Sequence, residues 1–156
     1  MKENARIYQI NVSNGGVPKL PVPSAEVALS GLVNDSHNDK LHHGGPTRAV
    51  CIYSLEVITA LQAEGHPIYP GSAGENITIV GLDWPRVVAG LRLRLGEEVE
   101  IEITQFASPC TTIRKSFLND DFNRISWRTH AGWARAYARV LRLGRIAVGD
   151  TVTPID

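Results

Sequence analysis

Apolar and polar residues alternate most cleanly over residues 98–104, where Val99, Ile101 and Ile103 are separated by Glu100 and Glu102. A repeat of two marks a strand with one face in the core and the other in water. Shorter apolar runs predict further strands over residues 5–12, 27–33, 48–53, 76–80, 91–95, 139–143 and 145–148. Over 55–64 the period lengthens to that of a helix. Leu55, Ile58 and Leu61 share a face, Ser54 is placed to cap, Glu56 lies in the first turn, and Gly65 with Pro67 ends the pattern. Residues 133–143 fit two patterns, since their alanines favour helix while Val140-Leu141-Arg142-Leu143 suits a strand. Two stretches, Leu93-Arg94-Leu95-Gly96-Glu97-Glu98-Val99 and Ile146-Ala147-Val148-Gly149-Asp150-Thr151-Val152, share the order apolar-x-apolar-Gly-acid-x-Val, which suits a tight turn between strands. Many short strands, frequent glycine turns and few helices predict a mostly β, barrel-like fold with a few short helices.

Composition narrows the class. The chain has 156 residues, 43% of them apolar and 21% charged, which predicts one globular domain over residues 1–156 with a core of its own. The longest apolar run, residues 49–53, falls far short of the ~20 needed to span a bilayer. The first six residues lack the apolar stretch of a secretory signal. Two cysteines, Cys51 and Cys110, make no disulfide framework. The expectation is a cytoplasmic protein with neither membrane nor nucleic acid as a partner. The formal net charge is zero, yet it is unevenly spread: residues 1–112 carry −4, residues 113–145 carry +6 and the last eleven −2. The basic stretch directly follows Cys110 and reads either as a solvated strand face or as an anion site near that thiol.

Cys110 stands out chemically. In Ser108-Pro109-Cys110-Thr111-Thr112-Ile113-Arg114-Lys115, Ser108 is a plausible N-cap and Pro109 a first helical residue. Cys110 would then sit at the second helical position with Arg114 and Lys115 one turn away, a setting that favours the thiolate. The alternative is a small buried hydrophobe at a strand end. Cys51, inside Ala49-Val50-Cys51-Ile52-Tyr53, reads as a core residue. Three glycine loops carry polar heads: Ser13-Asn14-Gly15-Gly16-Val17-Pro18-Lys19, His42-His43-Gly44-Gly45-Pro46-Thr47-Arg48 and Gly71-Ser72-Ala73-Gly74-Glu75-Asn76. Each is a turn, or a cradle whose N–H groups hold phosphate or a polar heterocycle. None matches a P-loop or a dinucleotide fingerprint. His37, His42 and His43 lack the spacing of a zinc site. Trp127, Trp133 and Tyr137 among arginines do not by themselves make a base-stacking surface.

Taken in order, these motifs resemble the MOSC family, the C-terminal domain of molybdenum-cofactor sulfurases. The resemblance rests on the Ser13–Lys19 loop, His43-Gly44-Gly45-Pro46-Thr47-Arg48-Ala49-Val50 and Gly74-Glu75-Asn76-Ile77-Thr78. It continues through Leu82-Asp83-Trp84, Gly96-Glu97 and Pro109-Cys110, then Tyr137-Ala138-Arg139-Val140-Leu141 and Val148-Gly149-Asp150. It covers residues 7–152. It implies a β-barrel-like domain whose invariant cysteine, matching Cys110, carries persulfide sulfur or ligates molybdenum in a pterin cofactor. Lys19, Arg48, Asn76 and Arg114, with Gly44, Gly45 and Gly74, are the implied contacts of that molybdopterin cofactor. Thr47 stands where the family often has an acidic residue. The family is also associated with pyridoxal phosphate, but no pyridoxal-phosphate lyase domain is found here. No flavin or iron–sulfur module is found either, so sulfur or electrons would come from a partner protein.

Three functions follow as expectations. One is a molybdenum-cofactor-binding or sulfur-carrying domain acting through Cys110. Another is a molybdenum-dependent reductase of N-hydroxylated compounds, and the third a non-enzymatic module that binds a phosphorylated small molecule.

Overall fold

A computed structural model describes residues 4–36 and 45–155. In chain order its elements are β1 (Arg6–Val12), β2 (Leu20–Val22), β3 (Ser24–Ala28), β4 (Gly31–Leu32), β5 (Val50–Ser54), α1 (Leu55–Ala63), β6 (Ile77–Val80), β7 (Arg92–Leu95), β8 (Val99–Phe106), β9 (Ala136–Arg142), β10 (Gly144–Ala147) and β11 (Val152–Ile155). Short 3-10 turns fill several connections, among them Pro46–Arg48 and Thr111–Ser116. No described helix is long and apolar enough to cross a membrane.

Eight strands form one sheet in the order β11-β7-β8-β9-β5-β6-β1-β2, and β10-β3-β4 form a second. The expected mostly β architecture with few helices is present. The larger sheet is not closed into a barrel by paired strands: near its two ends, residues 5–7 and 149–152 meet at an isolated bridge between Arg6 and Thr151 and through a few backbone hydrogen bonds, such as Val152 N–H to the Ala5 carbonyl at 2.9 Å. Every pairing in it is antiparallel except β5–β6. A parallel pair cannot be joined by a hairpin, and α1 supplies the crossover. Ser54 begins it, accepting a hydrogen bond from the Val57 N–H at 3.1 Å, so the helix starts where the capping pattern put it.

The alternation in β8 holds residue by residue. Val99, Ile101 and Ile103 are fully buried, while Glu100, Glu102 and Thr104 are half-exposed. Burying each such aliphatic side chain contributes about 1.5–3 kcal/mol. Within the ambiguous 133–143 segment residues 136–142 are strand, because β9 fits between β8 and β5 and completes the ladders of both. The strand expected over 27–33 is interrupted instead. Chain reversal after Ala28 makes a β3–β4 hairpin, and Gly31 (φ +122°) packs so closely on the Ala49 carbonyl that a Cβ there would collide with it. Strands β2 and β11 escape the sequence pattern, each being short, proline-containing and at a sheet edge. The two glycine–acid turns pack together: Gly96 N–H donates to the Thr151 carbonyl at 2.8 Å.

Candidate functional site

At one end of the larger sheet, where β1 and β8 finish and β6 and β9 begin, several loops enclose a cavity of about 340 Å3. That volume suits a small-molecule ligand. Its wall includes Lys19, Arg48, Cys51, Gly74, Asn76, Cys110, Arg135 and Tyr137. A larger groove of about 820 Å3 lies elsewhere, against Glu56, Leu82 and Trp84. It contains neither cysteine and none of the glycine loops that resemble a cradle, so the smaller cavity is the candidate site.

Backbone contacts bring the loops together. The Lys19 N–H donates to the Gly71 carbonyl at 2.9 Å, and the Asn76 N–H donates to the Cys51 carbonyl at 2.8 Å. Gly71 (φ +92°) permits this approach, since a Cβ there would sit 2.5 Å from the Lys19 carbonyl oxygen. The β8–β9 register slips between Ile103 and Gln105, just before the chain leaves β8 for Cys110. Such irregularities re-aim a strand end.

Cys110 is half-buried in the cavity wall. Its local structure corrects the expectation. The helix begins at Thr111, not Pro109; it is a 3-10 turn, and Cys110 precedes it with extended backbone (φ −146°, ψ 177°). Ala107 N–H still bonds the Arg135 carbonyl at 2.9 Å, and Arg135 Nη2 donates to the Ser108 carbonyl at 3.3 Å. These contacts hold the chain straight past the end of β8. The thiol thus lies beside Thr112 Oγ1, at 2.8 Å, rather than on the axis of an α-helix. Cys51 is buried in β5, and burial pushes its thiol up to about 11.

Lys19 and Asn76 reach the cavity through a buried network. Lys19 Nζ lies 2.7 Å from Asp35 Oδ1, while Asn76 Nδ2 donates to Asp35 Oδ2 at 2.8 Å. Asn76 Oδ1 accepts from the Cys51 N–H at 3.0 Å. Both residues therefore shape the site as well as line it. Arg48 ends its 3-10 turn with its guanidinium 5.8 Å from the Tyr137 ring centre. Burial pushes the Tyr137 hydroxyl up to about 12. Gly74 (φ +86°) lines the cavity, whereas Gly45 (φ +82°) is exposed outside its lining. Gly44, His37, His42 and His43 lie outside the described residues.

Arg114 does not join this group. It is exposed, absent from the cavity wall, and its Nη1 donates to the Thr111 carbonyl of its own turn at 3.1 Å. The buried arginine is Arg135, 5% exposed, which sequence reasoning passed over as one more member of the basic stretch. Its signal was a lone charge inside Trp133-Ala134-Arg135-Ala136-Tyr137-Ala138, where small apolar neighbours leave no solvated face. Nη1 of Arg135 donates to the Ala73 carbonyl at 2.8 Å. Towards its end the basic stretch is a strand face: Arg139 and Arg142 of β9 pair with Glu102 and Glu100 of β8 at 3.4 and 3.9 Å. Among the described residues no group of three or more His, Cys, Asp or Glu side chains is placed to hold a metal ion.

The MOSC domain family matches residues 39–153, most of the chain, and the chain belongs to it. Membership connects it with molybdenum-cofactor chemistry. It is 31% identical over 137 residues to YflK of Bacillus subtilis (strain 168), covering 86% of this chain and 60% of YflK. A reductase of Gibberella moniliformis (strain M3125 / FGSC 7600) is 30% identical over 134 residues, covering 83% of this chain and 23% of the reductase. The chain thus spans less than two thirds of either relative. YiiM from Geobacillus stearothermophilus superposes with a TM-score of 0.78 at 26% identity, covering 97% of this chain and 75% of YiiM.

Proposed function

We propose that this cavity binds the phosphorylated pterin of the molybdenum cofactor and that Cys110 is the thiol that takes up sulfur or ligates the metal. One observation carries the reading: a half-buried thiol shares the wall of a 340 Å3 cavity with Lys19, Arg48 and Arg135. The donor set suits the group. A thiolate is a soft ligand able to hold sulfur or a soft metal, and cations with loop N–H groups suit a phosphate. The Nε of Arg135, buried without a protein partner, adds an unmet demand for an anion.

When bound, the cofactor supplies the molybdenum centre and its redox or sulfur chemistry. The chain's part is to bind and orient. Arg48 and Arg135 with the 71–76 loop would hold the polar end, the Lys19–Asp35–Asn76 network fixes that loop against β5, and Cys110 presents sulfur from the lining of the same cavity. The sulfur or electrons would come from a donor outside this domain.

A second reading, a molybdenum-dependent reductase of N-hydroxylated compounds, is favoured by the relative named a reductase. Protein produced in a cofactor-making host and assayed for molybdenum and cyanide-labile sulfur separates the two. Labile sulfur lost in Cys110→Ser, without molybdenum, supports the carrier. Molybdenum bound by the wild type together with turnover of an N-hydroxylated substrate supports the reductase. Neither element in the wild type contradicts both.

A further inference from the structure

The cations around the cavity are not equivalent. Lys19 is neutralised by Asp35 at 2.7 Å, both side chains being almost fully buried. Arg139 and Arg142 are taken up by β8 glutamates on the outer face. Arg114 is exposed and lies outside the wall. Arg135 is different: it is 5% exposed, it forms part of the wall, and among the described residues no carboxylate lies within ion-pair distance of it. Its guanidinium has five N–H donors. One is spent on the Ala73 carbonyl and one on the Ser108 carbonyl, and the Nε–H has no protein partner. Three donors and a full charge are thus left over on a side chain that is itself buried. A buried cation in that condition calls for an anion. Glu75, on the same loop as Ala73, feels the Arg135 charge but makes no ion pair with it. Its Oε2 accepts from the Gly71 N–H and Thr78 Oγ1, and burial pushes its carboxyl up, towards the neutral form.

The two carbonyls that Arg135 holds belong to two of the segments that make the site. Ala73 sits in the 71–76 loop and Ser108 lies two residues before Cys110. The planar fork is therefore fixed between the glycine loop and the thiol-bearing segment, where an oxyanion entering the cavity would meet it.

We propose that Arg135 is the oxyanion receptor of this cavity, binding a ligand of the phosphate class against the wall that carries Cys110. The inference deepens the cofactor reading and rests on it only for which molecule carries the oxyanion.

The test follows alkylation of Cys110 by iodoacetamide, a neutral reagent that the guanidinium does not steer, with increasing inorganic phosphate and chloride at matched ionic strength. Phosphate should slow labelling of the wild type to a plateau. Arg135→Met should raise the half-protecting concentration at least tenfold, Arg135→Lys by less, and Arg139→Ala should leave it unchanged. Cys51 reports folding, since it stays unlabelled while β5 is buried. Wild-type labelling indifferent to phosphate, or equal protection in a folded Arg135→Met variant, overturns the proposal. If Arg135→Met exposes Cys51, Arg135→Lys decides, and wild-type protection in that variant overturns it. Molybdopterin binding equally to wild type and to both variants would overturn the receptor role but leave the cofactor reading. Phosphate protection through Arg135 in a protein that takes neither cofactor nor sulfur would do the reverse.

Discussion

Lys19 Nζ lies 2.7 Å from Asp35 Oδ1, with side-chain exposures of 7% and 1%. Asp35 also accepts from the Ser13 N–H at 2.9 Å and from Asn76 Nδ2 at 2.8 Å. One carboxylate therefore ties the loop after β1 to the start of β6. A buried pair of this kind holds geometry more than it adds stability, because desolvation offsets most of its attraction.

Removing only one partner is expected to be costly. Lys19→Met leaves the Asp35 charge buried and should lower unfolding stability by about 3–5 kcal/mol. The double variant Lys19→Met/Asp35→Asn should recover more than half of that loss. Urea denaturation of the wild type, both single variants and the double variant checks it. A single-variant loss below about 1 kcal/mol would mean that the pair is solvated and the loop held by other contacts.

The two thiols should react differently. Iodoacetamide near neutral pH is expected to modify Cys110, which is half-buried on the cavity wall, and to spare Cys51, which is buried and held protonated. Peptide mapping after limited labelling reads the sites directly. Preferential modification of Cys51 would contradict the arrangement of the cavity.

Alkaline pH should expose the same burial as a stability loss. Cys51 titrates near 9 in the open chain and is pushed up to about 11 in the fold. Between those values the folded state keeps a proton that the unfolded state has released, so stability falls as pH rises. The slope is about 1.4 kcal/mol per pH unit, and the total about 3 kcal/mol. Tyr137, pushed up to about 12 by burial, continues the loss above pH 10. Thermal or urea unfolding from pH 8 to 11 should show the decline, and Cys51→Ala should flatten its lower part.

What was legible in the sequence was what depends on local pattern. The β8 alternation, the Ser54 cap and the helix α1 all follow from neighbouring residues. The glycine loops were visible because a glycine string has few other uses. What escaped depends on tertiary position. Nothing near Arg135 announces that it will be sealed between two loops, and nothing near Asp35 predicts partners 16 and 41 residues away. The Cys110 helix was misread because local capping rules favoured Ser108, whereas strand-like contacts to Arg135 keep the chain extended to Thr111. Arg114 was chosen for nearness in sequence, and its side chain turns back onto its own turn.

The central claim is that this cavity holds a phosphorylated pterin beside Cys110, and titration with molybdopterin cofactor tests it most directly. Binding should saturate at one cofactor per chain in the wild type. Cys110→Ser should retain that binding while losing metal ligation or sulfur loading, because a hydroxyl stays protonated where a thiol ionises. Wild-type protein that neither binds the cofactor nor carries sulfur, or a Cys110→Ser variant with both properties intact, would contradict it.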